Sequence, residues 1–154
     1  MFGLYPLVIT YTTTTSLAVN NPNQNLHPQA SLFVLYFWGM KKAYHLAQCS
    51  TCQRILEEIN WQGDSQNIRE EKITEHQIDE MASLSGSYES LFSRRAMKYK
   101  SMGLKEKSLS ESDYKRLILE EDTFLKRPVF IVNDSIFIGN SKKTVEALKK
   151  CLDE

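Results

Sequence analysis

From Met40 onward, apolar and polar positions recur at regular spacings; before it they do not. Lys42–Leu46 reads as a short strand, and Gln48–Thr51 as the turn that follows. Cys52–Asn60 puts Ile55, Leu56 and Ile59 on one helical face, and Gly63-Asp64 ends that helix. Gln66–Glu70 predicts a second, polar strand near a sheet edge. Thr74-Glu75-His76-Gln77 has the spacing of a capping box, and the helix it opens carries Ile78, Met81, Ala82 and Leu84 before ending at Gly86. Ser87–Met102 predicts further short helix, closed by Gly103. Ser110–Asp122 reads as another capped helix, with Tyr114, Leu117, Ile118 and Leu119. Beyond Arg127-Pro128, two β-rich runs, Val129–Val132 and Ile136–Ile138, flank the polar Asn133-Asp134-Ser135 and form a hairpin. Ser141–Leu152 closes the chain as a helix. The order is β-α-β, a helical insert over about 73–123, then β-β-α: an α/β layered plan with a mixed sheet.

Charge sharpens the same boundary. The 154 residues hold 19 basic and 19 acidic side chains, yet residues 1–40 contain none of either. Two segments follow, 1–39 and 40–154. Residues 1–39 carry a threonine run and an Asn/Gln/Pro-rich stretch with no helix or strand face, and Met40 precedes the first strand directly. The expectation is that Met40 starts the functional protein. Residues 1–39 are then a translated upstream stretch or a disordered extension, which the intact mass of the native protein would distinguish. Phe2–Thr10 is apolar but has no basic residue before it, so it does not read as a secretory signal, and it lacks the arginines of a transit peptide. Leu32–Met40 is about half the run needed to span a bilayer, so no membrane partner is expected. A net charge of zero gives no case for direct nucleic-acid binding.

Three cysteines, Cys49, Cys52 and Cys151, are too few and too uneven for a secreted disulfide framework. They fit a reducing, cytoplasmic setting. A zinc site needs about four ligands, and with only His45 and His76 nearby no metal and no bound cofactor is expected. Cys49-Ser50-Thr51-Cys52 sits between a strand and a helix. Unpaired N–H groups and a partial positive charge at the helix start favour thiolate over thiol. Cys49 is the candidate nucleophile and Cys52 the resolving thiol, with Ser50 and Thr51 between them at the substrate. The plainer role for Cys52 is a small core residue facing the sheet. Cys151 reads as a bystander. Pro128 opens a β-run without an N–H, which suggests a sheet edge or a special peptide bond.

Lys41–Leu152 resembles the family that groups glutaredoxin-coupled arsenate reductases, Spx regulators and their relatives. The likeness is carried by Tyr44-His45-Leu46-Ala47-Gln48-Cys49-Ser50-Thr51-Cys52, Leu91-Phe92-Ser93-Arg94-Arg95, Phe124-Leu125-Lys126-Arg127-Pro128-Val129 and Ile138-Gly139. It implies a thioredoxin-like fold with a helical insert. It also implies a cis Pro128 beside Cys49 that receives substrate, and Arg127 and Arg95 as arginines facing the cysteine, with Arg94 competing for the second place. A guanidinium there would supply charge and forked donors to a thiolate or an oxyanion; the plainer role for Arg95 is a solvated charge in a basic run. Arsenate reductases of this type use three arginines, whereas Asn140 follows Ile138-Gly139 here and Ser93 stands at the first arginine position. The resemblance therefore implies, first, a thiol–disulfide oxidoreductase drawing electrons from glutathione, glutaredoxin or thioredoxin. It implies, second, an arsenate reductase. A third reading is an Spx-like redox sensor that docks on the RNA polymerase α subunit near Gly86.

Overall fold

The computed structural model describes residues 40–153; the expectations for residues 1–39 lie outside them. Four strands, β1 (Lys41–His45), β2 (Asp64–Asn67), β3 (Val129–Val132) and β4 (Ser135–Ile138), make one sheet in the order β2-β1-β3-β4. β1 and β2 are parallel; β1–β3 and β3–β4 are antiparallel. The helices are α1 (Ser50–Glu58), α2 (Glu75–Ser85), α3 (Tyr88–Leu91), α4 (Met97–Ser101), α5 (Glu111–Glu120) and α6 (Lys142–Asp153), with 3-10 turns at Leu104–Glu106 and Asp122–Phe124.

The alternation of β3 explains the layers. All four of its residues are buried, because both faces of this central strand are covered. Phe130 and Val132 join Ala43, Ile55, Val145 and Leu148 under α1 and α6. Val129 and Ile131 join Tyr44, Ile78, Met81, Phe92 and Leu117 under the insert. The expected α/β plan, β-α-β then β-β-α around a helical insert, is the observed one.

Three local expectations shift, and one open choice is resolved. β2 covers Asp64–Asn67 rather than Gln66–Glu70, because its parallel ladder with β1 begins at Lys42↔Asp64, just past Gly63. The chain then turns, with the Glu70 and Glu71 N–H groups donating to the Asn67 carbonyl. As expected, β2 is an edge strand. α1 starts at Ser50 and ends before Ile59, because Asn60 takes a left-handed conformation (φ 46°). The expected helix across Ser87–Met102 breaks between Leu91 and Met97. Buried Phe92 leaves the helix to form an antiparallel bridge with Leu125. Finally, Pro128 does not mark an edge, since it leads into a central strand; the special bond is the correct alternative, and Arg127–Pro128 is cis.

Candidate active site

Cys49 lies at the end of a tight turn out of β1. Its N–H donates to the Leu46 carbonyl at 3.0 Å, and its own carbonyl accepts from Gln53 at 3.1 Å. It is the N-cap of α1, with extended backbone (φ −93°, ψ 104°). Burial pushes the Cys49 thiol upward. The Cys52 N–H and thiol, the Thr51 N–H and the Arg127 guanidinium outweigh that, and the net shift is downward. Cys52 is fully buried and moves the other way, to about 11. Burial is the main cause, with the Cys49 side chain and its charge adding to it, while a backbone hydrogen bond with Leu46 and the Arg127 charge offset part. Both thiols are free.

A cleft of about 770 Å³ opens on Cys49. Thr51, Arg95 and Arg127 line it with Cys49. Cys52 and Pro128 are buried and Ser50 is exposed, all three outside the lining. The Pro128 carbonyl accepts the Gly139 N–H at 2.8 Å, tying the start of β3 to the end of the hairpin. Gly139 needs its glycine, because its φ is 84°. It delivers Asn140 and Ser141 to the cleft rim, where Ser141 accepts from the Thr144 N–H and caps α6.

The two arginine arms meet through the Phe92–Leu125 bridge. The Ser93 N–H donates to the Phe124 carbonyl at 2.7 Å, and the Lys126 N–H to the Leu91 carbonyl at 2.8 Å. Phe92 stacks on Phe124 at 5.0 Å. This brings together Arg95 and Arg127, which are 32 residues apart in sequence. Among the described residues neither makes an ion pair or a side-chain hydrogen bond, so both guanidinium groups are available to a ligand. Arg94 also lines the cleft, but it is paired there, with the Glu89 carboxylate at 2.5 Å and the Tyr114 hydroxyl at 3.1 Å. Both candidate arginines thus reach the cleft, and they differ in that Arg94 is paired and Arg95 is not.

The sequence did not single out Glu89, Ser87, Ser90 or Ser141, which also line the cleft. The only signal was a serine-rich stretch around residues 83–93, which spacing alone does not aim anywhere. Gly86 closes α2 at φ 86°. Among the described residues no cluster of three or more His, Cys, Asp or Glu could hold a metal ion, and no helix is long and apolar enough to cross a membrane.

A model of the ArsC family matches residues 44–148. The chain belongs to the ArsC family. Solved ArsC-type structures share its fold. A "possible arsenate reductase" from Streptococcus mutans UA159 is 25% identical, with a TM-score of 0.58 over 71% of this chain and 98% of that one. An arsenate reductase from Vibrio cholerae is 16% identical, with a TM-score of 0.59 over 72% and 97%. An arsenate reductase (ArsC) related protein from Brucella melitensis is 17% identical, with a TM-score of 0.54 over 70% and 92%. No curated protein sequence matches the chain. The mixed sheet with its helices is the thioredoxin-like α/β arrangement of these ArsC neighbours.

Proposed function

We propose that the protein is a thiol–disulfide oxidoreductase in which Cys49 attacks and Cys52 resolves. The observation that carries this reading is the placement of the two thiols, Cys49 capping α1 at the cleft and Cys52 buried one turn into the same helix. Cys49, at the helix start, is pushed toward thiolate, and Cys52, in the core, is held as a thiol. Pairs with separated proton affinities divide their labour. The Cys49 thiolate attacks a substrate disulfide, and one substrate thiolate leaves. The Cys52 sulfur then attacks Cys49, closing a Cys49–Cys52 disulfide and releasing the second substrate thiol. Two electrons pass from the pair to the substrate. A small thiol such as glutathione, or a redox protein such as glutaredoxin or thioredoxin, restores the pair. Arg127 and Arg95 hold the anionic part of the substrate, with Thr51 and the Pro128 backbone beside it, while Ser50, outside the lining, takes no part.

The test is reduction of hydroxyethyl disulfide by purified protein with glutathione in excess. Cys49→Ser should abolish it, and Cys52→Ser, mixed with the disulfide in the absence of glutathione, should stop as a trapped mixed disulfide on Cys49. Activity that survives Cys49→Ser refutes the mechanism. Arsenate reduction is the second reading, supported by two unpaired arginines in the cleft with Cys49. Asn140 stands where a third arginine is expected, so thiol-dependent arsenate turnover should be the weaker activity.

A further inference from the structure

The neutral total charge conceals a segregation. Between Arg94 and Lys107 the chain carries six cationic side chains, at 94, 95, 98, 100, 105 and 107, against one acid, Glu106. All six are exposed. The stretch Glu57–Glu89 is the reverse, with nine acids and two cations. The basic stretch is α4 with the turns on either side of it, and its position is fixed. Arg95 at one end lines the cleft, and Tyr99 packs on Phe92 at 6.0 Å, whose ring also lines the cleft. The basic stretch therefore begins at the cleft wall, at Arg95, and runs outward from it, its four lysines lying beyond the lining. Among the described residues only Arg94 and Lys98 are ion-paired, to Glu89 and Glu121. Lys100, Lys105 and Lys107 have no acidic partner among those residues. Two large apolar side chains are exposed on the same stretch, Met97 at 89% and Met102 at 44%. The stretch thus combines unpaired positive charge, which draws in an acidic partner, with apolar side chains that such a partner can cover.

We propose that α4 and its flanking turns dock an acidic protein that presents a disulfide to Cys49. The proposal rests on the thiol–disulfide reading above and specifies its macromolecular substrate. Charge complementarity selects the partner's sign. Lys100, Lys105 and Lys107 act on encounter rather than on chemistry, because rim charges chiefly set association rate and salt dependence. Met97 supplies an apolar anchor once the partner arrives.

The experiment uses the whole protein and two synthetic peptides of equal length, one rich in Asp and Glu, the other in Lys. Each carries a single cysteine joined to 2-thiopyridine as a mixed disulfide. The Cys49 thiolate attacks the peptide sulfur, the enzyme–peptide disulfide forms, and pyridine-2-thione leaves and is read by its absorbance. Cys52 then displaces the peptide as its thiol, closing Cys49–Cys52, so each enzyme molecule turns over once without added reductant. At low salt the acidic peptide should react faster by about tenfold or more, and 0.5 M NaCl should erase that preference. A variant with Lys100→Glu, Lys105→Glu and Lys107→Glu should invert it. The same variant should reduce hydroxyethyl disulfide at the unchanged rate, which also reports that it has folded. Equal peptide rates at low salt, or a preference that survives the variant, overturns the docking proposal. So does tight binding of a duplex oligonucleotide with no peptide preference, or a variant that changes only self-association by light scattering. A protein inert toward hydroxyethyl disulfide and both peptides would instead sink the thiol–disulfide reading.

Discussion

Phe92 joins the two halves of the site, and removing its ring tests that role. The side chain is 2% exposed. It lies 5.0 Å from the rings of Phe124 and Tyr114 and 6.0 Å from that of Tyr99. Its backbone pairs with Leu125, two residues before Arg127. Truncating a buried phenylalanine to alanine costs about 3–5 kcal/mol. Each aromatic pair adds about 0.5–1.5 kcal/mol beyond burial, so Phe92→Ala belongs at the upper end. Total stability of a domain this size is about 5–15 kcal/mol, so the variant keeps a small margin. With a urea slope of about 2 kcal/mol per molar, a 4 kcal/mol loss moves the midpoint down by about 2 M. Urea titration followed by tryptophan fluorescence and by circular dichroism measures it. Should alanine prevent folding, Phe92→Leu keeps most of the volume, loses the ring pairs, and should cost about 1–2 kcal/mol. A midpoint shift below about 0.5 M for Phe92→Ala would refute the view that this ring cements the arms.

Other consequences are separable. Gly63→Ala should cost about 1–3 kcal/mol in the same titration. The new Cβ would meet the Lys41 carbonyl oxygen at 2.5 Å and the Trp61 ring at 2.6 Å, and an unchanged midpoint would contradict that crowding. Thr74→Ala removes the oxygen that accepts the Gln77 N–H at 3.2 Å and should cost about 1 kcal/mol. Arg127→Met should move the pH midpoint of Cys49 alkylation by iodoacetamide upward, because a positive charge favouring the thiolate is gone; no movement would remove Arg127 from the electrostatics. Glu121 is held down to about 2, first by its hydrogen bond from Lys98. Its contribution to stability is present above the unfolded carboxylate value of about 4.3 and is lost as pH falls toward 2. Glu121→Gln should therefore flatten the stability profile between those values, and an identical profile would contradict the assignment.

Periodicity exposed most of the framework, for a physical reason. The capping box at Thr74 and Gln77, the α1 face of Ile55, Leu56 and Ile59, and the β3–β4 hairpin all depend on residues close in sequence. The β2 register did not follow from local pattern, because it is set by where Gly63 lets the chain approach Lys41. The break at Phe92 did not either, since its partner Leu125 lies 33 residues on. Within the site, Cys49 and Arg127 were legible through motif and resemblance. The commitment of Arg94 to Glu89 and Tyr114 was not, because three separate elements create it. The serines and Glu89 of the cleft wall were invisible for the same reason.

The two cysteines also carry a kinetic prediction. In the free reduced protein the Cys52 thiol stands at about 11, through burial first and then through the Cys49 side chain and its charge. At neutral pH such a thiol is a slow nucleophile. Once Cys49 enters a mixed disulfide, its negative charge is gone. The Cys49 causes of the upward shift on Cys52 vanish with it, while the downward pull of Arg127 remains. Cys52 then titrates below its value in the resting protein. Attack by Cys49 thus activates the residue that follows it, and resolution before attack is suppressed. The check compares two pH profiles. One is Cys52 alkylation in reduced wild-type protein, resolved from Cys49 by peptide mapping. The other is release of the second substrate thiol from a preformed mixed disulfide in stopped flow. Release should have its midpoint at lower pH than alkylation. Coincident midpoints would mean that Cys49 charge does not govern Cys52, and that burial alone sets the pace of resolution.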